Sequence, residues 1–206
     1  VKYNAPTFGG SLENLQEQAI KEDLAPSQQN GEWKQFALDL LETLVLAALL
    51  FLGINAISAR VRVDGTSMRP SLQDGEFVLV SKLSYRFGTV ERGDIIVFHD
   101  KLDPTQELIK RVIGKPGDVI KVENGNVTVN GQTLQEPYIA AAPIYSGEWT
   151  VPDGNLFVLG DNRNASSDSH IWNFLPMENI VGKAVVIYWP PALWEVIQHE
   201  KLLRTE

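Results

Sequence analysis

The chain has 206 residues, no cysteine, three histidines and a formal net charge of −8. That length suits one domain with appendages rather than two full domains. The composition excludes disulfides, thiol catalysis and cysteine-based zinc sites, and the acidity argues against nucleic acid as a partner, since non-specific binding needs a basic surface.

Residues 1–35 read as a polar tail. Gly9-Gly10 and the stretch 26–31 have the composition of flexible chain, with a short helix near Leu12 to Lys21. The chain then turns apolar, and residues 43–59 contain no charged side chain. A helix over 36–59 would be about 35 Å long, enough to cross a bilayer core. A buried soluble helix is the alternative, but such a helix rarely has so few polar positions around its circumference. Ala56-Ile57-Ser58 has the small-x-small look of a cleavable leader's end. The tail before it is long and acidic, however, and the apolar run exceeds a leader core. Residues 36–59 are therefore read as a transmembrane anchor. Lys34 precedes it and Arg60 and Arg62 follow it, a charge count opposed to a translocated C-terminal domain. That rule is weak for long domains and does not decide the orientation.

From Arg60 the texture is β. The runs 77–80, 94–98, 107–113, 119–122, 127–129, 156–159 and 181–189 are short and rich in β-branched and aromatic residues. Turn signals divide them: Arg92-Gly93-Asp94, Lys115-Pro116-Gly117-Asp118, Asn124-Gly125, Asn130-Gly131 and Asp153-Gly154. The Asn-Gly pairs are hairpin marks, because both residues tolerate positive φ. Residues 60–206 thus predict a mainly β, antiparallel, barrel-like domain large enough for its own core. Pro190-Pro191 ends the last strand, and a short amphipathic helix is expected over 192–203.

Ser67 lies in Gly65-Thr66-Ser67-Met68-Arg69-Pro70-Ser71-Leu72, between the turn signal Asp64-Gly65 and Pro70. Pro70 biases Arg69 away from helix, so an extended backbone is expected at Ser67. A serine nucleophile needs a base. His170, after Asp168-Ser169, could complete a Ser-His-Asp triad. Lys110 is the other candidate, because strand alternation places it on one face with Leu108 and Val112. Burial there would penalise the ammonium and turn the amine into a base. An edge strand blunted by a lysine is the alternative. His99, His170 and His199 show no metal-ligand spacing.

Three stretches in order after the anchor resemble the sequence boxes of type I signal peptidases. They are the serine stretch above, Lys110-Arg111-Val112-Ile113-Gly114-Lys115-Pro116-Gly117-Asp118, and Gly160-Asp161-Asn162-Arg163-Asn164-Ala165-Ser166-Ser167-Asp168-Ser169. The resemblance covers about residues 36–190. It implies a membrane-bound serine endopeptidase of mostly β fold with a Ser-Lys dyad and no metal or cofactor. The implied partners are the lipid bilayer and signal-peptide-bearing preproteins, cut after a small-x-small motif. Carried onto this chain, it makes Ser67 the nucleophile and Lys110 the general base, with Met68 and Pro70 shaping the turn. Ser166 would hydrogen-bond the lysine, Asp168 with Arg111 would form a supporting ion pair, and Asp161 to Arg163 would organise their loop.

The same resemblance implies an oxyanion hole built on the Ser67 N–H. Gly65 stands where some members add a hydroxyl, a loss of one donor that costs ~10²-fold unless Thr66, water or another group substitutes. His170 stands where many members have arginine, and Asn173 where glycine is usual. The substrate would add as a strand beside Val63-Asp64 and Leu108-Ile109, with Gly65 also among the substrate-binding residues. Shallow pockets lined in part by Val63, Met68, Leu72 and Ile109 would admit only small side chains. The C-terminal domain would lie on the periplasmic or lumenal side of a bacterial plasma membrane or a thylakoid. Two other classes compete: a catalytically silent, membrane-tethered β-domain that binds extended peptides or membrane proteins, and a self-cleaving Ser-Lys regulator cut near Ala140-Ala141-Ala142.

Overall fold

A computed structural model describes residues 29–101, 103–200 and 202. The expected tail helix near Leu12 to Lys21 lies outside them. The chain divides into two compact units, one ending at Phe51 and one beginning at Leu52.

The described part of the first unit is helical and belongs to α1 (Gln29–Ile57), which carries Glu32 in its first turn, where a carboxylate complements the helix dipole. Glu32–Ile57 are long and apolar enough to cross a membrane. Leu44, Leu49, Phe51 and their apolar neighbours are exposed all round the helix, the pattern of a segment solvated by lipid. The helix starts before the anchor expected at 36–59 and stops short of its end. Ser58 and Ala59 are strand residues, because they pair with Ser81 and Val80 and Ala59 packs on an adjoining core.

The second unit is built of antiparallel strands, as expected. Its larger sheet runs β1 (Ser58–Arg62), β2 (Phe77–Ser81), β11 (Ile180–Trp189), β3 (Ile95–His99), β4 (Glu107–Gly114), β9 (Asn155–Leu159) and β10 (Leu175–Pro176), with β12 (Glu195–Val196) on β11. The smaller sheet runs β7 (Gln132–Thr133), β6 (Asn126–Val129), β5 (Val119–Glu123) and β8 (Gly147–Thr150). Two short helices, α2 (Ser84–Phe87) and α3 (Ser169–Trp172), lie in the connections. The larger sheet is covered on both faces. Ile95 and Val97 enter one core with Val63, Met68 and Leu72, while Ile96 and Phe98 enter another with Val112 and Val158. That is why β3 reads as an unbroken apolar run instead of an alternating one. A third core lies against the smaller sheet, around Ile120, Val122, Val129 and Phe157. Both Asn-Gly pairs turn hairpins with positive φ at each residue, Asn124 at 51° and Gly125 at 76°, Asn130 at 52° and Gly131 at 82°.

The helix expected over 192–203 does not form among the described residues. Pro191–Leu193 make a single 3₁₀ turn, and Glu195–Val196 pair with Ile187 and Val186 along β11. An open strand edge offers this segment backbone partners that a short isolated helix would lack. The chain beyond is pinned by buried Ile197 and Leu202. His199 Nδ1 accepts the Ile95 N–H at 3.2 Å. Burial, aided by the positive charge of Lys183, pushes His199 down to about 4, so its ring is neutral and able to accept.

Candidate active site

Lys110 sits in the middle of β4, where Leu108, Lys110 and Val112 share one face and Ile109 faces the opposite core. Its side chain is 4% exposed, so it is not an edge lysine facing water. The amine donates to Ser67 Oγ at 2.8 Å and to the Ile109 carbonyl at 3.0 Å. Burial lowers it from the usual 10.5 to about 8, against the opposing pull of the Asp168 and Asp161 carboxylates. A lysine so placed can be neutral near physiological pH and accept a hydroxyl proton.

Ser67 does not lie on the extended backbone expected for it. The Arg69 N–H bonds to the Thr66 carbonyl at 3.2 Å and the Leu72 N–H to the Met68 carbonyl at 3.0 Å, so the whole stretch is a compact turn. Met68 and Leu72, both buried, root that turn in the core. Gly65 takes φ of 87°, and its N–H is held by Asp74 Oδ1 at 2.8 Å. From the far side, the Asn162 N–H donates to the Ser67 carbonyl at 3.0 Å and its amide to the Thr66 carbonyl at 3.1 Å. A side chain at Gly160 would collide with the Ser67 carbonyl and with Ser166 Oγ, so the serine turn and this loop meet without a gap.

Two expected supporting contacts differ. Arg111 does not pair with Asp168. Its Nε and Nη2 bind the Asp161 carboxylate at 2.8 and 2.7 Å, and its Nη1 donates to the Gly93 carbonyl at 2.9 Å. The reason is register: Arg111 stands opposite Leu159, so the acid two residues beyond β9 reaches it first. Asp168 instead caps α3, accepting from the Gly160 N–H at 2.8 Å and from the His170 N–H at 3.2 Å, with His170 Nδ1 at 2.6 Å. Ser166 is buried beside Gly160, but its Oγ has no hydrogen-bond partner among the described residues and makes no bond to Lys110.

His170 thus serves Asp168, and its ring stacks on Tyr145 with centroids 3.9 Å apart. Asn173 takes φ of 69°, a conformation asparagine tolerates better than most residues, so the turn after Trp172 is made without glycine. Sequence reasoning missed three participants. Glu136 binds Arg163 at 2.8 Å, Tyr138 lies 4.0 Å under the Arg111 guanidinium, and Tyr145 backs His170. All three come from a loop with no periodic signal.

A groove of about 580 Å³ leads to the Ser67–Lys110 pair, walled by Val61, Val63, Asp64, Met68, Leu108 and Ile109. Gly65 does not line it, and Leu72 stands behind it in the core. Among the described residues, β1 on one wall pairs only with β2, and β4 on the other meets β9 only from Arg111 onward. The groove therefore runs between two strand edges that lack a neighbouring strand there among the described residues.

A serine hydroxyl bound to a buried amine, at the end of a strand-edge groove, is the arrangement expected of a class, hydrolases that act on extended peptides. Residues 37–189 match the family described as signal peptidase, peptidase S26. The chain is 42% identical over 189 residues to the probable signal peptidase I-2 of Synechocystis sp., covering 86% of this chain and 82% of that one. It is 44% identical over 163 residues to signal peptidase I of Leptolyngbya laminosa, covering 73% and 78% respectively. It is 37% identical over 171 residues to the probable thylakoidal processing peptidase 2 of Arabidopsis thaliana, covering 78% of this chain and 46% of that one. The chain belongs to the signal peptidase family, peptidase S26.

Proposed function

We propose that this protein is a membrane-anchored serine endopeptidase that removes signal peptides from exported preproteins, with Ser67 as nucleophile and Lys110 as general base. The observation that carries the reading is the 2.8 Å contact between the buried Lys110 amine and Ser67 Oγ. The segment before the cut adds as a strand between the edges of β1 and β4. Shallow walls at Val63, Met68 and Ile109 leave room for small side chains at the first and third positions before the cut. Neutral Lys110 takes the Ser67 proton as Oγ attacks the scissile carbonyl carbon. The ammonium then protonates the leaving amine of the mature segment. Water, deprotonated by the same amine, hydrolyses the ester and frees the signal peptide.

The supporting shell acts at one remove. Asp161 holds Arg111, and Asp168 holds the Gly160 N–H, so both carboxylates fix the loop that closes over the Ser67 carbonyl. The β body would lie on the translocated face of a bacterial plasma membrane or a thylakoid, tethered by α1. A silent peptide-binding domain would gain nothing from burying an amine against a serine, because desolvation of that amine is a cost without catalysis to offset it.

The test uses the full chain in detergent with a preprotein, scoring the cut by mass. Wild type cuts after a small-x-small motif, whereas Ser67→Ala and Lys110→Met fold and do not cut. Substantial cleavage by either variant removes the corresponding role.

A further inference from the structure

A second cavity, of about 490 Å³, meets the strand-edge groove at Ser67, Leu108 and Lys110 and runs instead toward Phe98, Lys101 and Trp172. We propose that this cavity is the binding site for the first residues of the mature segment, and that Trp172 selects an apolar side chain at the first or second position after the cut. The proposal rests on the peptidase reading above. A chain whose scissile carbonyl lies at Ser67 must continue beyond it. With the strand-edge groove taken by residues before the cut, this cavity is a second opening that touches the nucleophile.

Its chemistry suits an apolar guest. Phe98 and Leu108 form the walls and the indole of Trp172 a half-buried face. That indole is held from several directions. Its ring packs against Phe98 with centroids 6.2 Å apart and planes tilted by 60°. Lys101 Nζ lies 5.7 Å from the ring centroid while donating to the Phe174 carbonyl at 2.8 Å. The short helix that carries Trp172 is capped by Asp168, whose carboxylate accepts the His170 N–H. A face fixed in this way gives contact area with little ordering cost on binding. Asp100 and Lys101 bring opposite charges to the lining, so the cavity has no simple preference for a charged guest.

The experiment uses the full chain in detergent with peptides that share one Ala-x-Ala motif and differ only in the first two mature residues: phenylalanine, leucine, glycine or aspartate. Wild type should cut the phenylalanine and leucine peptides with kcat/KM about tenfold above the glycine and aspartate peptides, the range one apolar pocket contact can supply. Trp172→Ala should lose far more activity on the apolar peptides than on glycine, so that the ratio collapses toward one. Trp172→Phe should keep the ratio, which separates lost recognition from lost folding. Equal rates across the series in wild type, or an unchanged ratio in Trp172→Ala, overturns the proposal and leaves the peptidase reading standing. A Trp172→Ala effect that is the same for every peptide and scales with detergent assigns the cavity to an alkyl chain, and also overturns it. Failure to cut any peptide overturns the peptidase reading, and this one with it.

Discussion

Among the described residues the Lys110 amine has two hydrogen-bond partners, Ser67 Oγ and the Ile109 carbonyl, and neither is an anion. Burial therefore loosens its proton, and activity should rise with pH along a limb centred near 8 before levelling. A limb near the ordinary value for imidazole would instead point to a histidine base. The same burial has a stability cost. A fall from 10.5 to about 8 is worth ~3 kcal/mol against the charged form. Between those values the unfolded chain binds the extra proton, so stability rises with pH across that window. Below 8 the penalty is whole, and above 10.5 it is gone. Lys110→Met should thus melt higher than wild type at pH 7, with the gap closing by pH 11.

Arg111 and Asp161 pose the opposite case, a fully buried pair with side chains 1% and 0% exposed. Removing one partner strands the other, at ~3–5 kcal/mol. Asp161→Ala should therefore unfold at markedly lower denaturant than wild type and lose processing with it. The proposed nucleophile and base could both be named from the sequence: alternation puts Lys110 among Leu108 and Val112, and the resemblance to signal peptidases chooses it over His170. Arg111's partner could not. Asp161 and Asp168 share one loop, and the choice between them is made by the β4–β9 register and by a helix cap, neither of which leaves a local mark.

Among the elements, those with apolar or hairpin signals could be read directly: the anchor, β2 to β6, β9 and β11. Those stabilised only by neighbours could not. Gly147–Thr150 has no apolar run and becomes β8 by pairing with β5. Ser58–Arg62 has no apolar run, its first two residues read as the end of the anchor, and it becomes strand by pairing with β2. The C-terminal segment looks amphipathic at helical spacing, yet it is drawn onto β11 as β12. It also supports the site from behind, since Ile197 is buried in the same core as Met68 and Leu72, which root the serine turn. Ile197→Ala should cost ~2–4 kcal/mol through the cavity it leaves. Thermal melting would measure this, with a fall in processing expected at temperatures where wild type is still folded.

The chain joins a helix long and apolar enough to cross a membrane to a β body that carries the proposed chemistry. Tethering should matter more for finding substrate than for the chemical step. Deleting residues 1–57 should leave a folded body that cuts short peptides but processes preproteins weakly until lipid or detergent is supplied. Full preprotein activity in lipid-free buffer would contradict a site that works at the membrane surface.

The strand edges of β1 and β4 carry one more implication. Backbone donors and acceptors are the same in every residue except proline, which lacks the N–H. A groove bounded by such edges reads a length of chain and is blind to most of the letters written on it. Its grammar has few rules: small, anything, small, and no imino acid where an edge calls for a donor. A reader of this kind accepts a very large vocabulary without a separate pocket for each word. On the proposed function its fidelity would come from delivery, because the chains brought to Ser67 would be those already threaded through the membrane that anchors it.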